Sequence, residues 1–318
     1  MAESRNPPST DGGTSSRARD RRDTNTSRSE RLESRENRWL KRFRAALEGR
    51  PEKDGDPLGV EGPRLAEEAL RSGLTVEAML VSDSGERHLS RLKALLPAGV
   101  RVLRTSDRLF ASVAGTETPQ GIALLAEPLS WRIEDLLNET PLIIALAGVQ
   151  DPGNVGTIVR AAEAFGATGV IACRGTAHPL SAKAVRASAG SVFRLPAVAG
   201  ASPEEAMGEL RRRGIRQIAA TLSEGQSPEE SELTGACAIW IGSEGAGLPA
   251  EIEREADARI RIALRAPVES LNAASAATVV LYEAARQRGN ASGRAEGKTE
   301  RKQPLPASGR AGVAAPRR

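Results

Sequence analysis

Leu142–Ala147 is an unbroken run of apolar residues, and nothing else in the chain narrows its possible folds so far. A strand with one wet face alternates apolar and polar side chains. A continuous run needs cover on both faces, as in the middle of a parallel sheet. The segments that follow keep alternating in type. Helices are expected over Gly156–Phe165, Ala182–Gly190, Pro203–Arg213 and Ser270–Gln287, and strands over Gly169–Cys173, Ile215–Thr221, Ala236–Ile241 and Ala258–Leu264. That order predicts an α/β domain over residues 141–288, a parallel sheet with helices on both sides. Ligands of such sheets bind beyond the carboxyl ends of the strands, so the loops after Ala147, Thr221, Ile241 and Leu264 are where chemistry is expected.

A smaller α/β unit is expected over residues 38–127. Arg64–Ser72 has helical spacing of Leu65, Ala66, Ala69 and Leu70 and stops at Gly73. Val76–Val81, Val100–Leu103 and Gly121–Leu125 read as strands and Glu86–Leu96 as a helix. Residues 128–140 read as a linker. Residues 1–37 and 289–318 hold too few large apolar side chains to offset their conformational entropy and are expected to be disordered. These ends carry the basic character. Of a formal charge of +4, residues 1–38 contribute +2 and residues 286–318 contribute +7, leaving −5 for residues 39–285. A basic tail attracts phosphate or merely solubilises, so charge alone does not identify a nucleic-acid partner.

Composition removes several classes of function. Two cysteines and two histidines support neither a disulfide framework nor a zinc cluster, so no metal is expected. No apolar run reaches the roughly 18 residues of a membrane span. The polar, arginine-rich N-terminus is unlike a secretory signal. The chain therefore reads as a cytoplasmic protein. A dinucleotide fingerprint is also missing, because the glycines after the first strand fall at Gly153 and Gly156 and no acidic strand end follows at the required distance.

Three segments carry candidate chemistry. In Gln150–Arg160 a Pro152-Gly153 turn precedes a helix, which sets Asn154 at the positive helix end and Arg160 less than two turns further on. An amide and a guanidinium there suit a phosphodiester or a ribose hydroxyl, although Asn154 serves equally as a cap and Arg160 as a surface charge. In Gly242-Ser243-Glu244-Gly245-Ala246-Gly247-Leu248 the glycines permit close backbone approach to a ligand, and Glu244 lies at a strand end; the plain alternative is a glycine turn that happens to hold a carboxylate. In Ser270-Leu271-Asn272, Ser270 is expected to cap the last helix and Asn272 to be its second residue.

Together and in this order, Asn154-Val155-Gly156 with Arg160, the Gly242–Leu248 loop, and Ser270-Leu271-Asn272 resemble the motifs of the SpoU (TrmH-like) family of SPOUT methyltransferases. Val60-Glu61-Gly62 and Thr118-Pro119-Gln120-Gly121 are similar to that family's ribosomal-protein-like (L30e-like) RNA-binding domain. The resemblance implies a deep trefoil knot, a homodimer, S-adenosylmethionine as cofactor, and methyl transfer to an RNA ribose 2′-hydroxyl. The substrate domain favours rRNA over tRNA. By the same resemblance Asn154, Arg160, Glu244, Ser270 and Asn272 are the catalytic residues, with Arg160 supplied by the partner subunit. Thr221, Leu222, Gly242, Ile262, Leu264 and Leu271 would hold the cofactor. Two readings remain beside it: an RNA-binding protein that kept the fold without catalysis, and a nucleotide-binding α/β enzyme of another class. The chain departs from the family pattern at Ala263, usually proline, at Ala266, usually glycine, and at Gly59, usually apolar.

Overall fold

The computed structural model describes residues 29–49 and 56–299; most of the two expected tails, 1–28 and 300–318, lies outside them. Two sheets organise the chain. The first contains β1 (Ser29–Leu32), β2 (Leu58–Glu61), β3 (Val76–Ser82), β4 (Arg101–Thr105) and β5 (Ile122–Ala126) in the order β1-β4-β3-β5-β2. β1, β4 and β3 are parallel, whereas β5 runs antiparallel to β3 and to β2. Successive side chains of β3 point to opposite faces. Ala78 and Leu80 meet α1 (Arg38–Glu48) and α4 (Asp107–Ala111) through Leu40, Phe43 and Phe110. Met79 and Val81 meet α2 (Pro63–Arg71) and α3 (Glu86–Lys93) through Leu65, Ala66, Leu89 and Leu92.

The second sheet contains β6 (Leu142–Ala147), β7 (Gly169–Ala172), β8 (Ala197–Ala199), β9 (Arg216–Thr221), β10 (Cys237–Gly242) and β11 (Ala258–Arg261), parallel throughout, in the order β11-β9-β10-β6-β7-β8. Its helices are α5 (Pro152–Ala164), α6 (Ala182–Ala187), α7 (Pro203–Arg212), α8 (Ala250–Glu255) and α9 (Ala273–Thr299). The apolar run at Leu142–Ala147 is covered on both faces, as its composition requires. Leu142, Ile144 and Leu146 pack with Val155 and Ile158 of α5 and Val280 and Leu281 of α9. Ile143 and Ala145 pack with Met207 and Leu210 of α7 and Ile252 of α8.

The structure differs from the sequence-based expectations at several places. β1 and the helix α1 precede the expected first helix, so order begins inside the segment expected to be a tail. Asn37 caps α1, its Oδ1 accepting the Trp39 N–H at 2.8 Å. α1 buries Trp39, Leu40, Phe43, Ala46 and Leu47 along one stripe. β2 was also not expected, and Gly59 in it explains one departure from the family: a Cβ there would lie 2.4 Å from the Ala46 carbonyl oxygen of α1. α5 begins at Pro152, so Asn154 lies in its first turn rather than in a loop ahead of it. β11 ends at Arg261 rather than Leu264, and α9 begins at Ala273 and continues to Thr299. Its last turns thus lie in the segment expected to be disordered. No helix among the described residues is long and apolar enough to cross a membrane.

Candidate active site

The carboxyl ends of β9, β10 and β11 open onto one cleft. In the parallel register Gly242 sits beside Ala147 and Arg261 beside Thr221, so the loops leaving all these strands emerge at one edge of the sheet. The cleft holds about 610 Å³ of space, part of it open to solvent. Thr221, Leu222, Gly242, Ile262, Leu264 and Leu271, scattered over fifty residues of sequence, all line it. Its walls also include Ala220, Ile241, Ser243, Ile260, Ala273 and Ala276, which the motifs did not single out. Most of these lie within two residues of a motif position, and that proximity was the available signal.

The glycine loop after β10 is built by backbone. Ser243 and Gly247 exchange two N–H···O=C bonds, each 3.0 Å, and the Ser243 hydroxyl accepts the Ala246 N–H at 3.2 Å. Such a closed turn has no room for a side chain at its base. A Cβ on Gly242 would lie 2.1 Å from the Gly247 carbonyl carbon. The loop carries Glu244 at its tip, where it meets the amide of Asn154, which in turn meets that of Asn272. Asn154 Nδ2 donates to Glu244 Oε1, and Asn272 Nδ2 donates to Asn154 Oδ1 at 3.0 Å. Asn272 Oδ1 in turn accepts the N–H groups of Ala274 at 2.9 Å and Ser275 at 3.3 Å. Asn272, not Ser270, is therefore the cap of α9, satisfying two of its otherwise orphaned N–H groups. Ser270 is exposed and lines the cleft.

Asn154 is fixed from below as well. Asp151 caps α5 by accepting the Gly153 N–H at 3.0 Å and pairs with Lys183 of α6 at 2.6 Å. The Lys183 ammonium, followed by the Gly153 N–H, holds the Asp151 carboxyl below the usual carboxylate range. Gly156 lets α5 approach α6, since a Cβ there would lie 2.2 Å from the Ala184 carbonyl oxygen. The glycine of the first motif is thus a packing residue, and Asp151 and Lys183 are positioning residues that the motifs did not reveal. An aspartate directly before a helix-starting proline was a readable cap signal.

Arg160 is not brought to this cluster. It lies nearly two turns along α5 from Asn154, rotated by about 120° at 3.6 residues per turn, exposed and without an ion pair among the described residues. Near it, α5 packs against α9, and Phe165 meets Tyr282 edge-on at 5.9 Å. Tyr282 and Val279 of α9 remain 59% and 41% exposed. Ala266 is not among the non-glycine residues with positive φ, which in the described residues are Glu139 and Ala189. Alanine in place of glycine therefore puts no left-handed strain on the loop.

The cleft fits an S-adenosylmethionine-like ligand. Its walls are largely aliphatic, and Leu222 stands 60% exposed at the rim with apolar surface to cover. Its lining has one carboxylate, Glu244, and no lysine or arginine, which suits a ligand that carries a cationic sulfur. Among the described residues, no group of His, Cys, Asp or Glu is placed to hold a metal ion.

Comparison with known proteins agrees with this geometry. Residues 141–282 match the model of the SpoU rRNA Methylase family, and residues 51–124 match that of the MRM3-like substrate binding domain. The chain is 33% identical over 223 residues to 23S rRNA (guanosine(2553)-2′-O)-methyltransferase RlmP of Bacillus subtilis, covering 70% of this chain and 86% of that one. It is 31% identical over 202 residues to 23S rRNA (guanosine-2′-O-)-methyltransferase RlmB of Ralstonia nicotianae, covering 62% of this chain and 81% of that one. Among solved structures it resembles the SpoU methyltransferase AviRb of Streptomyces viridochromogenes in complex with AdoMet, at a TM-score of 0.71 and 29% identity over 79% of this chain and 98% of that one. An AdoMet-bound rRNA methyltransferase of Sinorhizobium meliloti is similar at a TM-score of 0.71 and 27% identity, over 81% and 98% of the two chains.

Proposed function

The chain belongs to the SpoU rRNA methylase family, and from that premise we propose that it methylates ribosomal RNA at a ribose 2′-hydroxyl. It is an S-adenosylmethionine-dependent RNA 2′-O-ribose methyltransferase. The observation that carries the reading is the single cleft formed by Thr221, Leu222, Gly242, Ile262, Leu264 and Leu271, with the Asn272–Asn154–Glu244 chain at its mouth. Ribosomal RNA is favoured over tRNA because the substrate-binding segment is present and the relatives are named for 23S rRNA. Action on that RNA puts the enzyme in the cytoplasm. We assign residues 38–127 to RNA binding and residues 141–288 to methyl transfer, and with the family we assign the second unit a trefoil knot.

When bound, the cofactor supplies a methyl group on a positively charged sulfur, which departs as a neutral thioether. Transfer to a ribose 2′-oxygen would need that oxygen in line with the methyl carbon and the sulfur, with the hydroxyl proton released to solvent, so the protein's task is to align the three. Gly242 and Gly247 of the glycine turn, with Leu264 and Leu271, would hold the donor. Asn154 and Asn272, locked by Glu244 and by the first turn of α9, present amide groups to the acceptor ribose, with Ser270 beside them. Glu244 buttresses Asn154 and would set a carboxylate beside the cationic donor. The guanidinium of Arg160 matches phosphate oxygens in geometry and charge, so we assign it to the phosphate next to the target ribose. Because Arg160 points away from Asn154 in its own chain, we assign it to the partner's site in a homodimer that pairs the α5–α9 faces carrying Val279 and Tyr282.

Ribose methylations mapped across total RNA, in cells with and without the gene, test this reading. Loss of one rRNA 2′-O-methyl mark is expected. Loss of a tRNA mark instead would correct the substrate, and binding of S-adenosylmethionine without any lost mark would favour an RNA-binding protein without catalysis.

A further inference from the structure

Three guanidinium groups gather around one indole ring on the substrate-binding unit. Arg38, Arg42 and Arg101 place their guanidinium carbons 5.6, 5.0 and 5.7 Å from the centroid of Trp39. Trp39 is only 5% exposed, and its neighbours on α1 anchor it in the core of the first sheet. The ring is therefore a fixed platform, and the cations are held on it by the attraction between a cation and the ring face. Like charges this close repel, and the structure compensates them only in part. Glu77 takes a bidentate bond from Arg42, with the first contact at 2.6 Å, and Arg101 adds to the field that lowers its carboxyl. Neither Arg38 nor Arg101 has a hydrogen-bonded carboxylate among the described residues. The nearby Lys41 is paired with Glu36. The patch thus presents two exposed guanidiniums that no carboxylate among the described residues hydrogen-bonds.

We propose that this patch is a second RNA-binding site, taking backbone phosphates of the strand that flanks the target nucleotide. The inference rests on the reading of the protein as an RNA methyltransferase. Guanidinium pairs match phosphate oxygens in geometry as well as charge. A buried indole offers no face on which a base could stack, so the contact reads backbone and not sequence. The patch is also tied to the active site through rigid elements. From Trp39 along α1 to its C-cap Gly49 the backbone advances about 15 Å, at about 1.5 Å per residue. There the Gly49 carbonyl accepts the Ala182 N–H at 3.3 Å, and the next residue, Lys183, pairs with the Asp151 that caps α5. RNA held on Arg38 and Arg101 is therefore held at a fixed offset from Asn154. The offset is too long for the target nucleotide itself to span, which leaves flanking phosphates.

The test is filter binding of an in vitro 23S rRNA transcript to the full chain over a salt series, with methyl transfer and S-adenosylmethionine binding measured in parallel. Arg38→Gln and Arg101→Gln should each weaken RNA binding about tenfold. The double variant should reduce the slope of log K against log salt by about 1.4, at about 0.7 per lost single-strand phosphate contact. Cofactor affinity and kcat at saturating RNA should match wild type, as should all values for Arg254→Gln, an exposed arginine elsewhere. Both sites are exposed, so the fold is not at stake, and circular dichroism verifies this. Unchanged RNA affinity and slope in the double variant would overturn the proposal while leaving the methyltransferase reading intact. Weakened RNA binding by the double variant, beside a wild-type protein that transfers no methyl group, would support the patch and sink that reading instead.

Discussion

Asn272 holds two jobs that a pair of substitutions can separate. Its Oδ1 caps α9 through the Ala274 and Ser275 N–H groups, and its Nδ2 donates to Asn154. Asn272→Ala removes both. Loss of a helix cap costs about 1 kcal/mol, and the lost amide contact, being solvent-exposed, adds at most about 0.5 kcal/mol. A loss of about 1.5 kcal/mol corresponds to a fall of roughly 3–6 °C in Tm for a chain of this size. Asn272→Asp keeps an oxygen in the capping position and adds negative charge at a helix N-terminus, where it is favourable. It removes the donor, however, and turns a carboxylate toward Asn154 Oδ1 and Glu244. Thermal unfolding followed by circular dichroism should therefore rank Asn272→Asp beside wild type and Asn272→Ala below it. Single-turnover methyl transfer should fall in both by about a hundredfold or more, the usual consequence of misplacing a positioning group by an ångström. Wild-type turnover by Asn272→Asp would refute the claim that the amide chain orders the acceptor site.

Other consequences are equally direct. Gly242→Ala forces a Cβ to within 2.1 Å of the Gly247 carbonyl carbon, so calorimetry should find S-adenosylmethionine binding lost while far-ultraviolet dichroism is retained; normal affinity would contradict the assigned cofactor floor. If Arg160 acts across a dimer, an equal mixture of inactive Asn154→Ala and inactive Arg160→Ala chains should recover about a quarter of wild-type activity, because half of the dimers are mixed and each regains one complete site. No recovery after subunit exchange would return Arg160 to its own chain's site. Burial pushes the Cys173 thiol up to about 12, with the charge of Glu204 adding, and burial also raises Cys237. Ellman's reagent at pH 8 should therefore label neither cysteine until the protein unfolds. An unfolded thiol ionises near pH 8.5, so the stability these protonated thiols contribute is complete below that pH and is lost as the pH rises toward 12. Rapid labelling of the native protein would show the burial to be wrong.

Five of the six strands of the second sheet were legible because they are short runs separated by helices with good start signals; the edge strand β8, three residues long, was not. The site was legible because three motifs recur in a fixed order. What the sequence hid has identifiable causes. α1 has a clear apolar stripe at Trp39, Leu40, Phe43, Ala46 and Leu47, but its four cations made it resemble the arginine-rich segment before it. β2 escaped notice because Gly59 breaks the apolar pattern, and only the backbone of Ala46 explains why a glycine must stand there. Ser270 looked the better helix cap from its residue type alone. Asn272 takes that place because the loop after β11 runs on to line the cleft, a tertiary demand that local preference does not record. The alliance of Asn154 with Glu244, ninety residues apart in sequence, likewise exists only once β6 and β10 lie side by side.

The chemistry itself can be read from a single product. Tritiated methyl from S-adenosylmethionine should be transferred to 23S rRNA and should appear, after alkaline hydrolysis, in alkali-resistant dinucleotides, because a methylated 2′-oxygen can no longer attack the adjoining phosphate. Label recovered in mononucleotides would place the methyl group on a base, and an absence of label would remove the enzyme altogether; either result would contradict ribose methylation at the Asn154–Glu244–Asn272 cleft.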